Sequence, residues 1–357
     1  MGLGRTEPVE SENHHVSRIP TPCAVLPSPR GPLSDYLLEH LVRPPHSLSG
    51  APVAEDDPLD GDDSQLALYC CYELHYRSMA GVAEVWEWEP SLLAFRRDLE
   101  EAFERRVREV AGPTGPIGDV EAGLRRAIAD HRGPSLSSYA RDQASVDQLR
   151  ELAVHRSAYQ LKEADPHSWG IPRLSGRPKA AMVEIQFDEY GGGVEGASHA
   201  ELWADTMDGL GLDSSYGAYL DLLPGTTLST TNLISLFGLH RRLRGALVGH
   251  LAAFEMTSVV PMGRYAAALA RVGVSVEARR FYEVHVAADA VHEVVACRRM
   301  ARGLADAEPS LAADIVLGAQ ALIAVEDRFA RSVLSSWGSD TSSLLSPLAD
   351  AAARPTG

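Results

Sequence analysis

HVAADAVH, residues 285–292, places two imidazoles and a carboxylate on a stretch otherwise made of alanine and valine. Positions i, i+4 and i+7 of an α-helix lie within roughly 60° of one another, so His285, Asp289 and His292 share one face. The flanking residues continue a helical pattern without glycine or proline. The sequence therefore predicts a helix with a polar stripe. Asp289-x-x-His292 has the carboxylate-x-x-His form with which helical bundles hold paired metal ions.

Long helical patterns occupy most of the chain from residue 64 onward. Apolar residues recur at intervals of three and four, and no alternating strand series is present. We therefore expect an all-α protein. The helices are predicted over residues 64–80, 90–111, 146–163, 177–190, 198–210, 229–257, 264–272, 276–303 and 308–335.

Composition divides the chain into three predicted segments. Residues 1–62 combine a proline-rich start with the acidic stretch that begins at Ala51, and we expect a largely extended or disordered N-terminal arm with one short helix. Residues 63–335 are predicted to form the helical domain, and residues 336–357 a C-terminal tail.

The formal net charge of −16 argues against a nucleic-acid partner, since such proteins carry a basic surface. The N-terminus has no apolar run typical of a signal peptide, and no stretch reaches 18 consecutive apolar residues. The cysteines show no CxxC spacing and are expected to be reduced thiols. They are Cys23, Cys70, Cys71 and Cys297. We therefore expect a cytoplasmic protein without a nucleic-acid or membrane partner.

The predicted helix over 146–163 carries polar groups on one face. His155, Tyr159 and Glu163 follow one another at i+4 steps. Glu163 lies at the C-terminal end, where the helix dipole disfavours a carboxylate unless a cation is present. Tyr159 is expected to be a packed tyrosine, with a hydrogen-bond or radical role beside the site as the alternative.

Glu189 and His199 flank the triple glycine at 191–193. Glycine lets the chain change direction sharply, so the two side chains are expected to converge on one point. Asp188 and Glu184 are alternatives to Glu189, and a flexible linker between two helices is the alternative for the whole segment.

Glu255 lies between Phe254 and Met256 near the end of a long apolar helical pattern. An unpaired carboxylate in such surroundings is costly, which makes Glu255 a candidate ligand. His250 is five residues earlier, points to a different helix face and is expected to be structural.

Four carboxylates and three imidazoles make up the predicted metal and catalytic site. They are Glu163, Glu189, His199, Glu255, His285, Asp289 and His292. Oxygen and nitrogen ligands without thiolates favour two iron or manganese ions over structural zinc, and two zinc ions are an alternative.

With these residues the chain resembles the heme-oxygenase-like diiron oxidases and oxygenases, also described as iron-containing redox enzymes. The resemblance covers roughly residues 64–335 and places a ligand at every position of the family pattern of Glu, then Glu and His ten apart, then Glu, then His-x3-Asp-x2-His. It is carried by KEADPHSWGIPRL (162–174), EIQFDEYGGG (184–193) with His199, LHRRLRGALVGHLAAFEM (239–256) and HVAADAVH (285–292).

The resemblance implies a seven-helix up-and-down bundle that activates O2 at two Fe(II) ions, with manganese as an alternative. We expect a non-haem diiron oxidoreductase that acts on a small metabolite, with an amino acid favoured by analogy. The expected chemistry is C–H abstraction leading to desaturation, C–C cleavage, C–N bond formation or N-oxygenation in a biosynthetic pathway.

Two alternatives keep the same fold, namely a non-catalytic iron-binding protein and a thiaminase-like hydrolase that would need a cysteine in its site. The sequence is also compatible with an external electron donor and with a homodimer. Glu73 and His75, in the family-like stretch 73–90, are expected to be structural.

Overall fold

A computed structural model describes residues 23–348, apart from the side chains of Asp289 and Ala290. The start of the predicted arm, 1–22, and the end of the predicted tail, 349–357, lie outside the described residues. Helices dominate the described range, and it contains no β-strand. The all-α prediction is confirmed.

Fourteen α-helices follow one another across the described range. Their bounds are α1 Pro32–Leu41, α2 Asp62–Glu73, α3 Pro90–Ala111, α4 Val120–Ala129, α5 Leu136–Asp142, α6 Val146–Gln160, α7 Asp165–Ser168, α8 Gly176–Glu189, α9 His199–Gly209, α10 Gly225–Leu239, α11 Arg244–Arg271, α12 Val276–Val294, α13 Arg302–Ala307 and α14 Ala312–Gly338. A π-helical turn, Val295–Ala301, joins α12 to α13. Capping boxes begin α6, at Ser145, and α9, at Ser198, which fixes where both helices start.

Helix α11 runs through the middle of the bundle and packs against α12 on one side and α14 on another. Gly249 of α11 and Gly318 of α14 allow the close approach, because a Cβ at either would overlap a backbone carbonyl of the facing helix. Helix α12 in turn packs against α9. This arrangement brings α9, α11 and α12 together around the candidate ligands.

Two segments, Arg241–Arg271 and Pro309–Gly338, are long and apolar enough to cross a membrane by length and composition alone. Of their most apolar windows, 56% and 50% are buried inside the bundle, where α11 and α14 contact each other. Their apolar composition is that of core helices.

The expected short helix within the predicted arm is α1, and it packs on the bundle, whereas residues 42–61 form no helix or strand. Helix α1 buries Leu37 and Leu41 in the main core. The Asp63 carboxylate accepts a hydrogen bond of 2.8 Å from the backbone N–H of Ser34 in the first turn of α1. The acidic stretch thus includes a helix cap, which composition alone did not distinguish from a solvated run.

The predicted helix 229–257 is two helices, because His240, with φ −104° and ψ 111°, is extended and separates α10 from α11. The predicted separate helix 264–272 is the end of α11, which continues through Pro261. Proline removes one helical hydrogen bond, and packing against α5 and α12 holds the helix across it. The last helix also extends past the predicted 335, to Gly338.

Candidate metal centre

Six of the seven predicted ligands form two overlapping groups of buried donor atoms, and within each group these atoms lie within 4.8 Å of one another. One group is Glu163, Glu189, His199 and His285, and the other is Glu189, Glu255 and His292. Glu189 is common to both groups. The seventh residue, Asp289, has a side chain outside the described part of the structure.

Glu163 is aimed by a turn rather than by a helix face. The helix predicted over 146–163 ends at Gln160. Ala164 has a φ of 75°, a backbone conformation that residues other than glycine rarely adopt. Gln186 Nε2 donates a hydrogen bond of 2.7 Å to the Ala164 carbonyl. Contact with α8 therefore stabilises the turn that presents Glu163.

A buried ion pair anchors the same turn. Lys162 Nζ lies 2.7 Å from Glu73 Oε2, with side-chain exposures of 1% and 0%. The Tyr216 hydroxyl donates a hydrogen bond of 2.6 Å to the other Glu73 oxygen. Glu73 is thus structural, as expected, and His75 pairs with Glu87 instead of joining either donor group.

The glycine break folds the chain back so that Glu189 and His199 meet, with 2.6 Å between Glu189 Oε2 and His199 Nδ1. Gly191 has a φ of 65°. A Cβ on Gly191 would overlap the backbone of Ala197 and lie 2.6 Å from the nitrogen of Ser198. A side chain at this position would push the two ends of the break apart. The expected convergence is observed, in place of a flexible linker.

Helix α12 contributes one imidazole to each donor group. His285 Nε2 lies 3.6 Å from Glu163 Oε1, and His292 Nδ1 lies 3.4 Å from Glu255 Oε2. The Nδ1–H of His285 donates a hydrogen bond of 2.8 Å to the Phe281 carbonyl, which orients the ring with Nε2 toward Glu163.

Asp188 supports His292 from the side away from Glu255. The His292 Nε2–H donates a hydrogen bond of 2.9 Å to Asp188 Oδ2. Burial lowers the pKa of His292, but the interactions with Glu255 and Asp188 outweigh it and raise this pKa to about 9. Carboxylates in this position orient metal-bound imidazoles. Asp188, the alternative to Glu189 in the sequence analysis, therefore orients His292 and belongs to neither donor group.

The three buried glutamates of the donor groups require a neighbouring positive charge if they are ionised. Glu163, Glu189 and Glu255 are each at most 7% exposed. Burial raises the pKa of Glu163 and the pKa of Glu255. Glu163 Oε2 is buried without a hydrogen-bond partner among the described residues. Because burying ionised carboxylates is costly unless cations or metals pair with them, this donor set fits divalent metal ions.

Three polar residues near the ligands in sequence belong to neither donor group. His155 hydrogen-bonds two hydroxyl groups, on Thr227 and Ser343. Glu184 pairs with an arginine of the π-helical turn. His250, expected to be structural, contacts a second buried histidine with 3.1 Å between ring nitrogens.

The cysteines lie away from the donor groups as well. All four are free thiols, as expected. Cys70 and Cys71 are buried in the main core, and Cys297 packs in a separate apolar cluster. No cysteine of the described chain lines the pocket beside the donors. The described wall of this pocket therefore lacks the cysteine nucleophile that a thiaminase-like hydrolase would need.

One cavity adjoins the donor groups, and a second, larger cavity adjoins the first. The smaller one, of about 20 Å³, is walled in part by the glutamates of both groups. The larger one, of about 370 Å³, shares four wall residues with it, namely Tyr159, Phe254, Ser258 and Met262. Tyr159 is a buried residue in the wall of both cavities. An aromatic and thioether wall thus separates the donors from a larger chamber.

Fold and site together define a helical bundle protein with a buried centre of carboxylates and imidazoles. A model of the iron-containing redox enzyme family matches residues 150–327, a range that contains every member of both donor groups. The chain belongs to this family, whose members have the heme-oxygenase-like fold. No curated protein matches the chain.

Proposed function

We propose that the protein is a non-haem diiron oxidase or oxygenase that uses O2 to oxidise a small metabolite. The observation that supports this most directly is the sharing of Glu189 between two buried donor groups. Glu163, His199 and His285 would hold one iron, and Glu255 and His292 the other. Glu189 would contact both, as bridging carboxylates do in helical bundles with paired metals.

Asp289 is proposed as a further ligand from its place on α12, four residues after His285. Manganese is the alternative metal, because the same oxygen and nitrogen donors accept it.

Two Fe(II) ions, when bound, would supply the electrons with which O2 becomes an oxidant able to take hydrogen from a C–H bond. The chain's own residues have supporting tasks. Phe281 and Asp188 hold the rings of His285 and His292 in orientation through hydrogen bonds. Phe254, with other apolar wall residues, excludes water on the side of the larger cavity.

The proposed outcome is desaturation, C–C cleavage, C–N bond formation or N-oxygenation of the substrate, with an amino acid favoured by analogy. Reduction of O2 to two waters takes four electrons. A two-electron oxidation of the substrate supplies half of them, so the proposal includes an external electron donor for that stoichiometry.

The test is O2 consumption by the protein after anaerobic loading with Fe(II). With an electron donor and a panel of amino acids present, we expect a transient visible absorption after mixing with O2, and substrate-dependent O2 uptake. Iron binding without absorption and without uptake would instead indicate a non-catalytic iron-binding protein.

Two buried histidines provide a matched pair of variants. His285→Ala should lower the iron content and abolish turnover, because His285 belongs to a donor group. His250→Ala should keep nearly all of the iron, since the described ring contacts of His250 are with a second histidine and two phenylalanines and it belongs to neither donor group. Elemental analysis of both variants, after circular dichroism has shown that they are folded, checks this. Equal iron loss in the two variants would contradict the assignment.

A further inference from the structure

The larger cavity runs away from the donor groups between α5, α6, α11 and α14. Its volume of about 370 Å³ falls within the range of small-molecule sites, roughly 300–1,000 Å³. The smaller cavity beside the donors, of about 20 Å³, has room for little more than a water molecule. A substrate larger than that must therefore occupy the larger cavity.

Most charged groups in the wall of this cavity are already neutralised. Arg156 makes two hydrogen bonds, of 2.8 and 2.7 Å, to the two oxygens of Glu326. Asp327 pairs with Arg331 at 2.8 Å. The rest of the wall is mainly aromatic and aliphatic, with Trp203 as its largest ring. An apolar body fits such a wall, but these paired charges offer little to an ionic group.

Arg264 is the exception. Within residues 23–348 no carboxylate with a described side chain lies within 4.0 Å of its guanidinium. Its hydrogen bonds to described residues are two long ones from Nη1, of 3.3 Å to Ser135 Oγ and 3.4 Å to Ser137 Oγ. A guanidinium has five N–H donors in a planar fork that matches a carboxylate. Asp142 interacts with Arg264 electrostatically but is hydrogen-bonded to Arg141. The Nε and Nη2 donors of Arg264 make no hydrogen bond to a described residue, so they are available to an anion in the cavity.

The distance along α11 between Glu255 and Arg264 follows from their positions in the sequence. Arg264 follows Glu255 by nine residues, which corresponds to about 13 Å along a helix axis. Phe254, Ser258 and Tyr265 line the cavity over this interval. Arg264 and the donor groups thus lie on opposite sides of the wall that the two cavities share.

We propose that Arg264 binds the anionic end of the substrate, and that the cavity holds the substrate with its oxidised carbon toward Glu255. This rests on the proposed function. The substrate class is an elongated carboxylate whose charged end is separated from the oxidised carbon by an apolar or aromatic body of several bonds. An amino acid that binds in this way reacts at the far end of its side chain.

Arg271 provides a matched control. It lies seven residues further along α11 and also ties this helix to the α5 region, by hydrogen bonds of 2.6–2.9 Å to the carbonyls of Ala140, Arg141 and Ala144. It does not line the cavity. If Arg264 only linked α11 to the α5 region, replacing Arg264 and replacing Arg271 should therefore have similar effects on ligand binding.

The experiment is calorimetric titration of the Fe(II)-loaded full chain, without O2, with 4-phenylbutanoate and its neutral amide. We expect the wild-type protein and Arg271→Met to bind the acid at least tenfold more tightly than the amide. Arg264→Gln, which keeps hydrogen-bond donors for the two serines but lacks the charge, should lose this preference. Arg264→Met is a second neutral variant, and thermal melting checks that all variants are folded.

Two results overturn the proposal, namely a preference for the acid that survives in Arg264→Gln and an acid that does not bind the wild-type protein. The first would mean that the carboxylate binds elsewhere, for example at the metal. Iron content and O2 uptake of the same samples test the proposed function separately. An Arg264-dependent preference without O2 uptake refutes the oxidase and leaves the anion site, whereas O2 uptake without that dependence does the reverse.

Discussion

Replacing Gly191 with alanine should disrupt the metal centre through the backbone alone. Gly191 lies between Glu189 and His199, and its φ is 65°. An alanine there would overlap the backbone of Ala197 and the nitrogen of Ser198. The chain has to open at the point where it folds back, and the 2.6 Å contact between Glu189 and His199 must lengthen.

Gly193 separates the two contributions to the cost. It has a φ of 77°, but a Cβ there has no atom within 4 Å. A left-handed conformation costs a residue with a side chain roughly 1–2 kcal/mol, and this applies to both glycines. Overpacking against neighbouring atoms adds about 1–3 kcal/mol, and this applies only to Gly191. Gly191→Ala should therefore destabilise by about 2–5 kcal/mol, and Gly193→Ala by about 1–2 kcal/mol.

The assay combines urea unfolding with Fe(II) titration of both variants. Gly193→Ala should bind iron as the wild-type protein does, whereas Gly191→Ala should bind it more weakly even under conditions where it is fully folded. Equal losses of stability and of iron affinity in the two variants would contradict this prediction, because the close backbone contact at Gly191 would then have no separate effect.

Three further predictions concern side chains around the site. Asp188→Asn keeps a hydrogen-bond acceptor for His292 but removes its charge, and should weaken iron binding about 10–100-fold in a competition with a chelator; unchanged affinity would exclude a supporting role. Lys162→Met leaves the buried Glu73 carboxylate without its ammonium partner and should lower the free energy of unfolding by about 3–5 kcal/mol, while addition of Glu73→Gln should recover part of the loss; a double variant no more stable than Lys162→Met would argue against this pairing. Burial lowers the pKa of His155 from 6.5 to about 3, so between these values the unfolded chain binds a proton that the folded protein does not. The free energy of unfolding should fall by about 1.4 kcal/mol per pH unit as the pH drops through this window, and His155→Gln should have a correspondingly shallower pH dependence of urea unfolding; an equal slope in both proteins would contradict it.

The parts of the site that the sequence predicted depend on local signals. His285 and His292 share a helix face because their spacing is fixed by the helical repeat. Glu189 and His199 meet because a run of three glycines lies between them. Both signals lie within about ten residues of the ligands, where pattern and turn chemistry are strong.

The parts that the sequence did not predict depend on contacts between distant segments. Glu163 is oriented by the turn at Ala164, which a hydrogen bond from Gln186 stabilises. Glu73 and Lys162 are 89 residues apart, so their pairing has no local pattern. The available donors of Arg264 are visible only once the walls of the cavity are assembled.

Helix ends show the same division. At the break after Leu239 the nearest local signal is Gly238, which lies within α10. At Pro261, where a break would be expected, α11 continues. Packing of neighbouring helices outweighs the local preference at Pro261. The short helices α4 and α5 were not predicted, because segments of ten and seven residues offer too few turns for a clear periodicity.

The most direct test of the shared dimetal centre is the iron content of the full chain. The wild-type protein and Glu189→Gln are loaded anaerobically with Fe(II), unbound metal is removed, and iron is measured by elemental analysis. Because Glu189 belongs to both donor groups, the wild-type protein should hold two irons per chain, and Glu189→Gln should lose affinity for both. A wild-type maximum of one iron per chain, or two irons retained in Glu189→Gln, would contradict a shared dimetal centre.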